Sequence, residues 1–357
     1  MQVLRAQALV NTGLIAPELC PVSLLQESLW RQDQAGAAGA RDRILRAFRL
    51  RGELRREPFC EALRRAVDSH PPLRTRFHFR EQIRSYGAST IVQVIAPEGE
   101  FALDTVSGDP MEILAREREH RFDLARGPLI RAVLVRTGDD EHVLICNVHR
   151  IIADEKSVDI LLAESSDFYA ALLDGESPKP VERPSYADFA VARDDLPVER
   201  QIEFWKNHLS GPLPAIELPA DHRRGLANHH HVSMHEFALP SGIEQATALA
   251  GLMVLLGRYT GAEEVLIGVC SDRRTAPFSV TFGPFENTLL LKMDLTGDLD
   301  VRESFDRAAA VLADASAAGD VPLGKVVDLN PGTAPFQVEF DWRDEPPSKF
   351  ALRGLEV

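Results

Sequence analysis

The chain has 357 residues, of which 45% are hydrophobic and 26% charged, and its formal net charge is −14. This length exceeds one compact core of ordinary size and predicts a globular protein with two lobes of roughly 150 to 200 residues. Because the negative charge repels phosphate backbones and anionic lipid, we expect neither nucleic acid nor membranes as general partners, although a local basic patch could bind a small phosphate.

Cysteine usage and the lack of targeting signals indicate where the protein resides. The four cysteines are far apart and form no C-x-x-C pair, which predicts reduced thiols. The first residues lack the apolar core of a signal peptide, and no apolar run approaches the about 18 residues that a membrane span needs. We therefore expect a cytoplasmic protein.

The first predicted elements are two helices and a strand. "PVSLLQESLW" predicts a helix that Ser23 caps, with Gln26 at the capping-box position. "LRREPFCEALRRAVDSHPPL" predicts a second helix with apolar residues on one face, which Pro71 ends. "LRTRFHF" alternates apolar and polar residues, as strands do.

A hairpin and a long helix follow. "PLIRAVLVR" and "EHVLICNVHR" are two β-like runs joined by "TGDD", and the second run ends at His149. A helix is predicted from about Ser157 to Leu173. "HRIIAD" therefore connects a strand to a helix, a position where side chains often face a cleft.

A proline-rich and charged stretch, "GESPKPVERPS", marks the boundary between a domain over residues 1–178 and a second over residues 179–357. Beyond it, helices and strands mix without strict β-α-β alternation. Three segments predict helices and three predict strands: "PVERQIEFWKNHLSG", "QATALAGLMVLLGRYTG" and "RESFDRAAAVLADASAA", then "EEVLIGVC", "FENTLLLKMDL" and "FQVEFDW".

Five segments resemble, in the same order along the chain, the motifs of nonribosomal peptide synthetase condensation domains: "PVSLLQESLW", "SHPPLRTRF", "VHRIIADE", "YADFAVA" and "FGPFENTLLLK". Those domains are relatives of chloramphenicol acetyltransferase. The resemblance implies an α/β (α+β) fold of two acetyltransferase-like lobes, each a mixed sheet flanked by helices, arranged in a V with a central cleft. The lobe over residues 179–357 looks trimmed compared with the family.

The family reaction is attack of an amine on a thioester, with both substrates on the phosphopantetheine arms of carrier proteins. The resemblance places its H-H-x-x-x-D-G signature on His149 to Glu155, with His149 at the first histidine and Asp154 at the aspartate. Arg150 stands where the second, catalytic histidine belongs, and Glu155 replaces the glycine. A guanidinium stays protonated at neutral pH and cannot act as a base, although it could stabilise an oxyanion.

The resemblance also implies roles for other charged residues. His149 is implied to be structural, and Asp154 to pair with a cation, either Lys292, where the family has an arginine, or Arg150. Residues expected to support the seam between the lobes are Arg74, Arg76, Asn287 and Lys292. Residues expected to contact a substrate arm or partner are Glu155, Ser157, Arg273 and Arg274, the last two as phosphate ligands or as an ordinary surface pair.

For the histidine tract and for Cys146, the sequence favours structural roles over metal binding or catalysis. The histidines of "NHHHVSMHEF" could bind a metal, but adjacent residues point in alternating directions, so we expect a solvated loop and no metal. Cys146 shows no nearby base that would make it a nucleophile, so we expect it to pack in the core.

Two functions follow from the altered signature. The first is a binding module, because "H-R-x-x-x-D-E" resembles the H-R-x-x-x-D-D of the X domains of glycopeptide antibiotic synthetases, which recruit haem monooxygenases instead of condensing. Its partners would be a peptidyl or acyl carrier protein and a tailoring oxidase, with no bound cofactor apart from the carrier's phosphopantetheine arm. The second is an active acyl or peptidyl transferase in which Arg150 replaces the usual histidine.

Overall fold

A computed structural model describes residues 18–36, 42–79, 91–179, 181–193, 196–218, 234–297, 299–329, 336–343 and 350–357. The strands in this part of the chain are β1 (Glu18–Pro21), β2 (Arg43–Arg51), β3 (Thr75–Phe79), β4 (Ile91–Ile95), β5 (Leu103–Ser107), β6 (Ile130–Arg136), β7 (Glu141–His149), β8 (Glu264–Asp272), β9 (Glu286–Asp294) and β10 (Glu339–Phe340). The helices are α1 (Leu24–Gln34), α2 (Arg56–Ser69), α3 (Pro110–Glu119), α4 (Glu155–Leu173), α5 (Tyr186–Arg193), α6 (Glu199–His208), α7 (Gln245–Thr260), α8 (Val301–Ala317) and α9 (Leu323–Asp328).

The chain divides into two compact units. The first comprises Met1–Leu196, Arg274–Phe285 and Glu345–Val357, and the second comprises Pro197–Arg273 and Glu286–Asp344. The contacts thus group the chain differently from the contiguous ranges 1–178 and 179–357. Two late segments join the first unit because their apolar side chains, including those of Phe282, Phe350 and Leu352, are buried in its core.

The first unit contains two sheets. One has the strand order β1-β4-β3 and is antiparallel, and the other has the order β2-β7-β6-β5, with β5 parallel to β6. Since successive residues of a strand point to opposite faces, Ile44, Phe48 and Leu50 of β2 share one face and pack in the core that includes α2 and α4. Arg46 lies on the same face.

The second unit is built on the sheet β10-β8-β9, in which β10 is parallel and β9 antiparallel to β8. Its core contains Trp205 of α6, Met253 of α7 and Ala308 of α8, together with the inner residues of β8 and β9. Both units therefore have mixed sheets with flanking helices, as predicted. Among the residues that the structure describes, no helix is both long and apolar enough to cross a membrane.

The local sequence predictions are confirmed around the signature segment and at α1. Ser23 and Gln26 form the predicted capping box, in which each side chain accepts the other residue's backbone N–H. β6 and β7 form the predicted antiparallel hairpin, and β7 ends at His149. The following helix starts at Glu155, two residues earlier than predicted, because Asp154 acts as its N-cap.

Candidate functional site

The signature segment leaves the sheet at His149 and enters α4 after Asp154. His149 is opposite Arg43 of β2, at the end of the β2–β7 ladder. The Asp154 carboxylate accepts a hydrogen bond from the backbone N–H of Ser157 at 2.8 Å, which satisfies a free donor at the helix start. The first end of the connection is thus fixed by strand pairing, and the second by a hydrogen bond from a backbone N–H to a side-chain carboxylate.

The His149 ring is buried, with 4% of the residue exposed. Its Nδ1 accepts a hydrogen bond from the Ile151 backbone N–H at 3.1 Å, and the ring packs edge-on against Phe122. Burial, with a smaller contribution from the Arg43 cation, lowers the pKa of His149 to about 4. At neutral pH the imidazole is therefore uncharged, and its proton is on Nε2.

This depressed pKa predicts a loss of stability in acid. An unfolded histidine binds a proton below about pH 6.5, whereas folded His149 resists protonation down to about 4. Stability should therefore fall between these pH values, by about 3 kcal/mol in total. In urea titrations at several pH values, His149→Asn, which keeps an acceptor but does not titrate, should remove this part of the pH dependence. An equal slope in both proteins would contradict the prediction.

Asp154 pairs with Arg274. The two carboxylate oxygens of Asp154 each lie 2.7 Å from a terminal nitrogen of Arg274, and one of them also accepts from the Phe285 N–H at 2.9 Å. Both side chains are almost fully buried, at 3% and 1% exposed. The prediction that Lys292 or Arg150 pairs with Asp154 is wrong, because residues 274–285 pack with the first unit and bring Arg274 to the carboxylate.

The prediction that Ser157 and Arg274 contact a substrate arm or a phosphate does not agree with their positions in the structure. The Ser157 hydroxyl is 2.7 Å from Asp154 and 2.8 Å from the Gly283 carbonyl, and it accepts from the Gly283 N–H. It also accepts a hydrogen bond from Arg274. Because Ser157 and Arg274 are buried and hydrogen-bonded to each other, they join α4 to residues 274–285 and are closed to a substrate arm or a phosphate.

Arg150 is tied to the residue that replaces the family's glycine. Its Nη2 lies 3.2 Å from Oε1 of Glu155, and the two side chains are 34% and 26% exposed. The Arg150 backbone N–H donates to the Asp42 carbonyl at 2.7 Å. The Arg150 guanidinium thus contacts the carboxylate of Glu155, the residue at which the resemblance implies a glycine.

Arg46, which none of the sequence motifs singles out, contacts the other oxygen of Glu155. Its Nε and Nη2 donate to Oε2 of Glu155 at 3.1 and 2.8 Å, and its Nη1 donates to Asp159. Burial lowers the pKa of Arg46, but the hydrogen bonds to Asp159 and Glu155 raise it by more. A signal was present in "RILRAFRLR", where Arg46 is a cation at an otherwise apolar face of β2 and so requires a nearby carboxylate.

The predicted seam residues make local contacts within their own units. In the first unit, Arg74 donates to the Ala96 carbonyl, and Arg76 pairs with Glu100 at 2.8 Å. Burial lowers the pKa of Arg74.

In the second unit, the buried Asn287 side chain fixes β9 to the loop before α9. It donates to the carbonyls of Gly319 and Val321 and accepts from the Leu323 N–H. Lys292 lies 3.9 Å from Glu264.

Arg273, the other predicted phosphate ligand, also lies in the second unit. Its guanidinium is 3.3 Å from Asp320 and donates to the Ser316 carbonyl at 2.9 Å. These contacts are those of an ordinary ion pair near the surface.

The other reactive residues have the following positions. Cys146 is buried in the core, and burial raises the pKa of its thiol to about 12, which argues against a nucleophile. His235 is exposed, whereas residues 229–231, the other histidines of the tract, lie outside the described residues.

Among the described residues, Cys270, Glu286 and Asp341 have ligand atoms within 4.8 Å of one another. Burial and the nearby carboxylates, Glu286 first among them, raise the pKa of the Cys270 thiol.

A family model described as "Condensation domain" matches residues 18–340. The chain belongs to the condensation domain family. This family member is 30% identical over 342 residues to the chondramide synthase of Chondromyces crocatus, and 30% identical over 379 residues to the isonitrile lipopeptide synthase of Mycobacterium tuberculosis. It covers 87% and 96% of its own length in these matches but only 8% and 15% of the two synthases.

Solved structures confirm the predicted α/β fold of the chloramphenicol acetyltransferase type. The first condensation domain of the CDA synthetase has a TM-score of 0.75 at 18% identity, covering 94% of this chain and 85% of that one. The X-domain from teicoplanin biosynthesis has a TM-score of 0.68 at 26% identity, covering 93% and 78%. The X-domain in its complex with OxyB has a TM-score of 0.70 at 25% identity, covering 100% and 82%.

Proposed function

We propose that this condensation-domain protein is a non-condensing platform in the biosynthesis of a nonribosomal peptide or related natural product. In this role it recruits a carrier protein or a tailoring enzyme in the cytoplasm. The observation that carries the proposal is the Arg150 guanidinium, paired with Glu155 at 3.2 Å, at the position where the resemblance implies the catalytic histidine.

A condensing site needs a group that accepts or orients the proton of the attacking amine, and a positioned general base contributes on the order of 10²- to 10⁴-fold. Arg150 cannot accept a proton at neutral pH. In His149, the Nδ1 lone pair is already used by the Ile151 N–H, and Nε2 carries the ring proton. Neither residue of the altered signature pair therefore offers a free proton acceptor.

The likeness to X-domain structures supports the class of partner. One of them is a complex of the X-domain with OxyB from teicoplanin biosynthesis, and its TM-score against this chain, 0.70, is close to the 0.68 of the X-domain solved alone. By extension, the ligands here would be a carrier protein with its phosphopantetheine arm and a tailoring oxidase. Asp154 and Arg274 would then preserve the scaffold, since their buried pair needs no substrate.

A second candidate function is acyl or peptidyl transfer, and one observation favours it. About a third of the Arg150 side chain is exposed, so that a permanent cation remains accessible for an oxyanion. This reaction would require an amine that arrives without its proton, because neither Arg150 nor His149 can take it.

Binding of defined partners tests the platform. With the chain immobilised, biolayer interferometry would measure binding of the phosphopantetheinylated carrier protein and of the haem monooxygenase from the same biosynthetic locus. We expect saturable binding of at least one, retained in Arg136→Gln, a control that removes an exposed pair with Asp139 and a hydrogen bond to the Gly138 carbonyl. Absence of binding by both would contradict the proposal.

A further inference from the structure

The Glu155 carboxylate contacts two arginines, Arg46 and Arg150. Arg46 also contacts a second carboxylate, that of Asp159. Arg46 contacts Glu155 and Asp159, which are four residues apart on the first turns of α4. Arg150 contacts Glu155 from the signature segment. Two cations and two anions thus form one chain of contacts that ends at the catalytic position.

The sharing of Glu155 is unequal. Arg46 makes two hydrogen bonds to Oε2, the shorter of 2.8 Å, whereas Arg150 makes a 3.2 Å contact to Oε1. Arg46 is also the more buried cation, at 20% exposed against 34%, and ion pairs strengthen as solvent is excluded. Glu155 is therefore held mainly by Arg46, and Arg150 is the weaker partner.

We infer that Arg46 is a positioning residue that competes with Arg150 for Glu155 and thereby sets how firmly the signature arginine is held. Asp159 acts in the opposite direction, because it draws the Arg46 guanidinium partly away from Glu155. The inference rests on the proposed function only in treating Arg150 as the group whose release opens this position to a ligand.

Substitutions of Arg46 and Asp159 should change the strength of the Arg150–Glu155 contact in opposite directions. Arg46→Met removes the competitor and leaves the Glu155 carboxylate to Arg150, so Arg150 becomes more tightly held. Asp159→Asn leaves Arg46 with Glu155 as its charged partner, so Arg150 becomes more loosely held. Glu155→Gln removes the shared anion and should loosen Arg150 more than Asp159→Asn does. A side chain that merely supports α4 would not produce opposite signs at Arg150.

The reactivity of Arg150 with phenylglyoxal, followed by mass spectrometry of the peptide that contains it, measures this hold. Arg126, 87% exposed and 3.7 Å from its carboxylate, provides an internal standard in the same chain. Relative to Arg126, the rate at Arg150 should fall about two- to fivefold in Arg46→Met and rise by a similar factor in Asp159→Asn, the range of a partly exposed ion pair. Glu155→Gln should react fastest.

Two further variants keep the test decisive if Arg46→Met leaves Asp159 unpaired and lowers stability. Of the contacts among these four side chains, the double variant Arg46→Met, Asp159→Asn keeps the Glu155–Arg150 pair, and it should still react more slowly than the unmodified chain. Arg46→Lys, whose ammonium lacks the fork that spans two carboxylates, should give an intermediate rate. Changes of the same sign in Arg46→Met and Asp159→Asn, or no change relative to Arg126, would overturn the inference. The assay contains no carrier or partner, so its result is independent of whether recruitment occurs.

Discussion

Replacing Arg274 with methionine should lower the free energy of unfolding of the first unit by about 3–5 kcal/mol, the cost of leaving a buried charge without its partner. Asp154 is 3% exposed and has both oxygens on Arg274, so the substitution strands its carboxylate inside the protein. The N-cap of α4 depends on that carboxylate, and the loss should therefore reach the signature segment.

Hydrogen exchange of α4 amides during urea titration would measure this loss in the first unit alone, since a chain of two units need not unfold in one step. Asp154→Asn together with Arg274→Met should be less destabilised than the sum of the two single variants, because no lone charge stays buried. The matched control is Arg353→Gln, which breaks an exposed pair with Asp174 and should cost less than about 1 kcal/mol. A cost that small for Arg274→Met would show that Asp154 finds other compensation.

Amide formation between a loaded donor carrier and a loaded acceptor carrier should not exceed the uncatalysed background in the presence of this chain. The physical reason is the absence of a proton acceptor at residue 150, which removes a contribution on the order of 10²- to 10⁴-fold. Restoring the family pattern with Arg150→His and Glu155→Gly should raise the rate at least about tenfold, because an imidazole then occupies the position without a competing carboxylate.

The measurement is product formation by mass spectrometry under single-turnover conditions, with Arg150→Ala as the matched variant. The unmodified chain and Arg150→Ala should be equally inactive. Turnover by the unmodified chain that is lost in Arg150→Ala would instead support the transferase, with Arg150 stabilising the oxyanion.

Features that depend on neighbouring residues were determined by the sequence itself. The capping box of Ser23 and Gln26, the β6–β7 hairpin and the end of β7 at His149 each follow from residues a few positions apart. The order of motifs predicted the family, which the match to residues 18–340 shows. The sequence alone also places an arginine at position 150, where the resemblance implies a histidine.

Only the tertiary structure decided which charges meet. Arg274 lies 120 residues from Asp154 in sequence, and Arg46 lies 113 from Asp159. Alternation along β2 predicts that Arg46 lies on the core face. Neither periodicity nor capping rules predict which carboxylate of a distant helix contacts it. The partner of a buried charge is set by which segments the folded core brings together, because the cost of desolvation is offset by any well-placed opposite charge. Lys292 has the right sign for Asp154, but packing of residues 274–285 in the first unit brought Arg274 to that carboxylate instead.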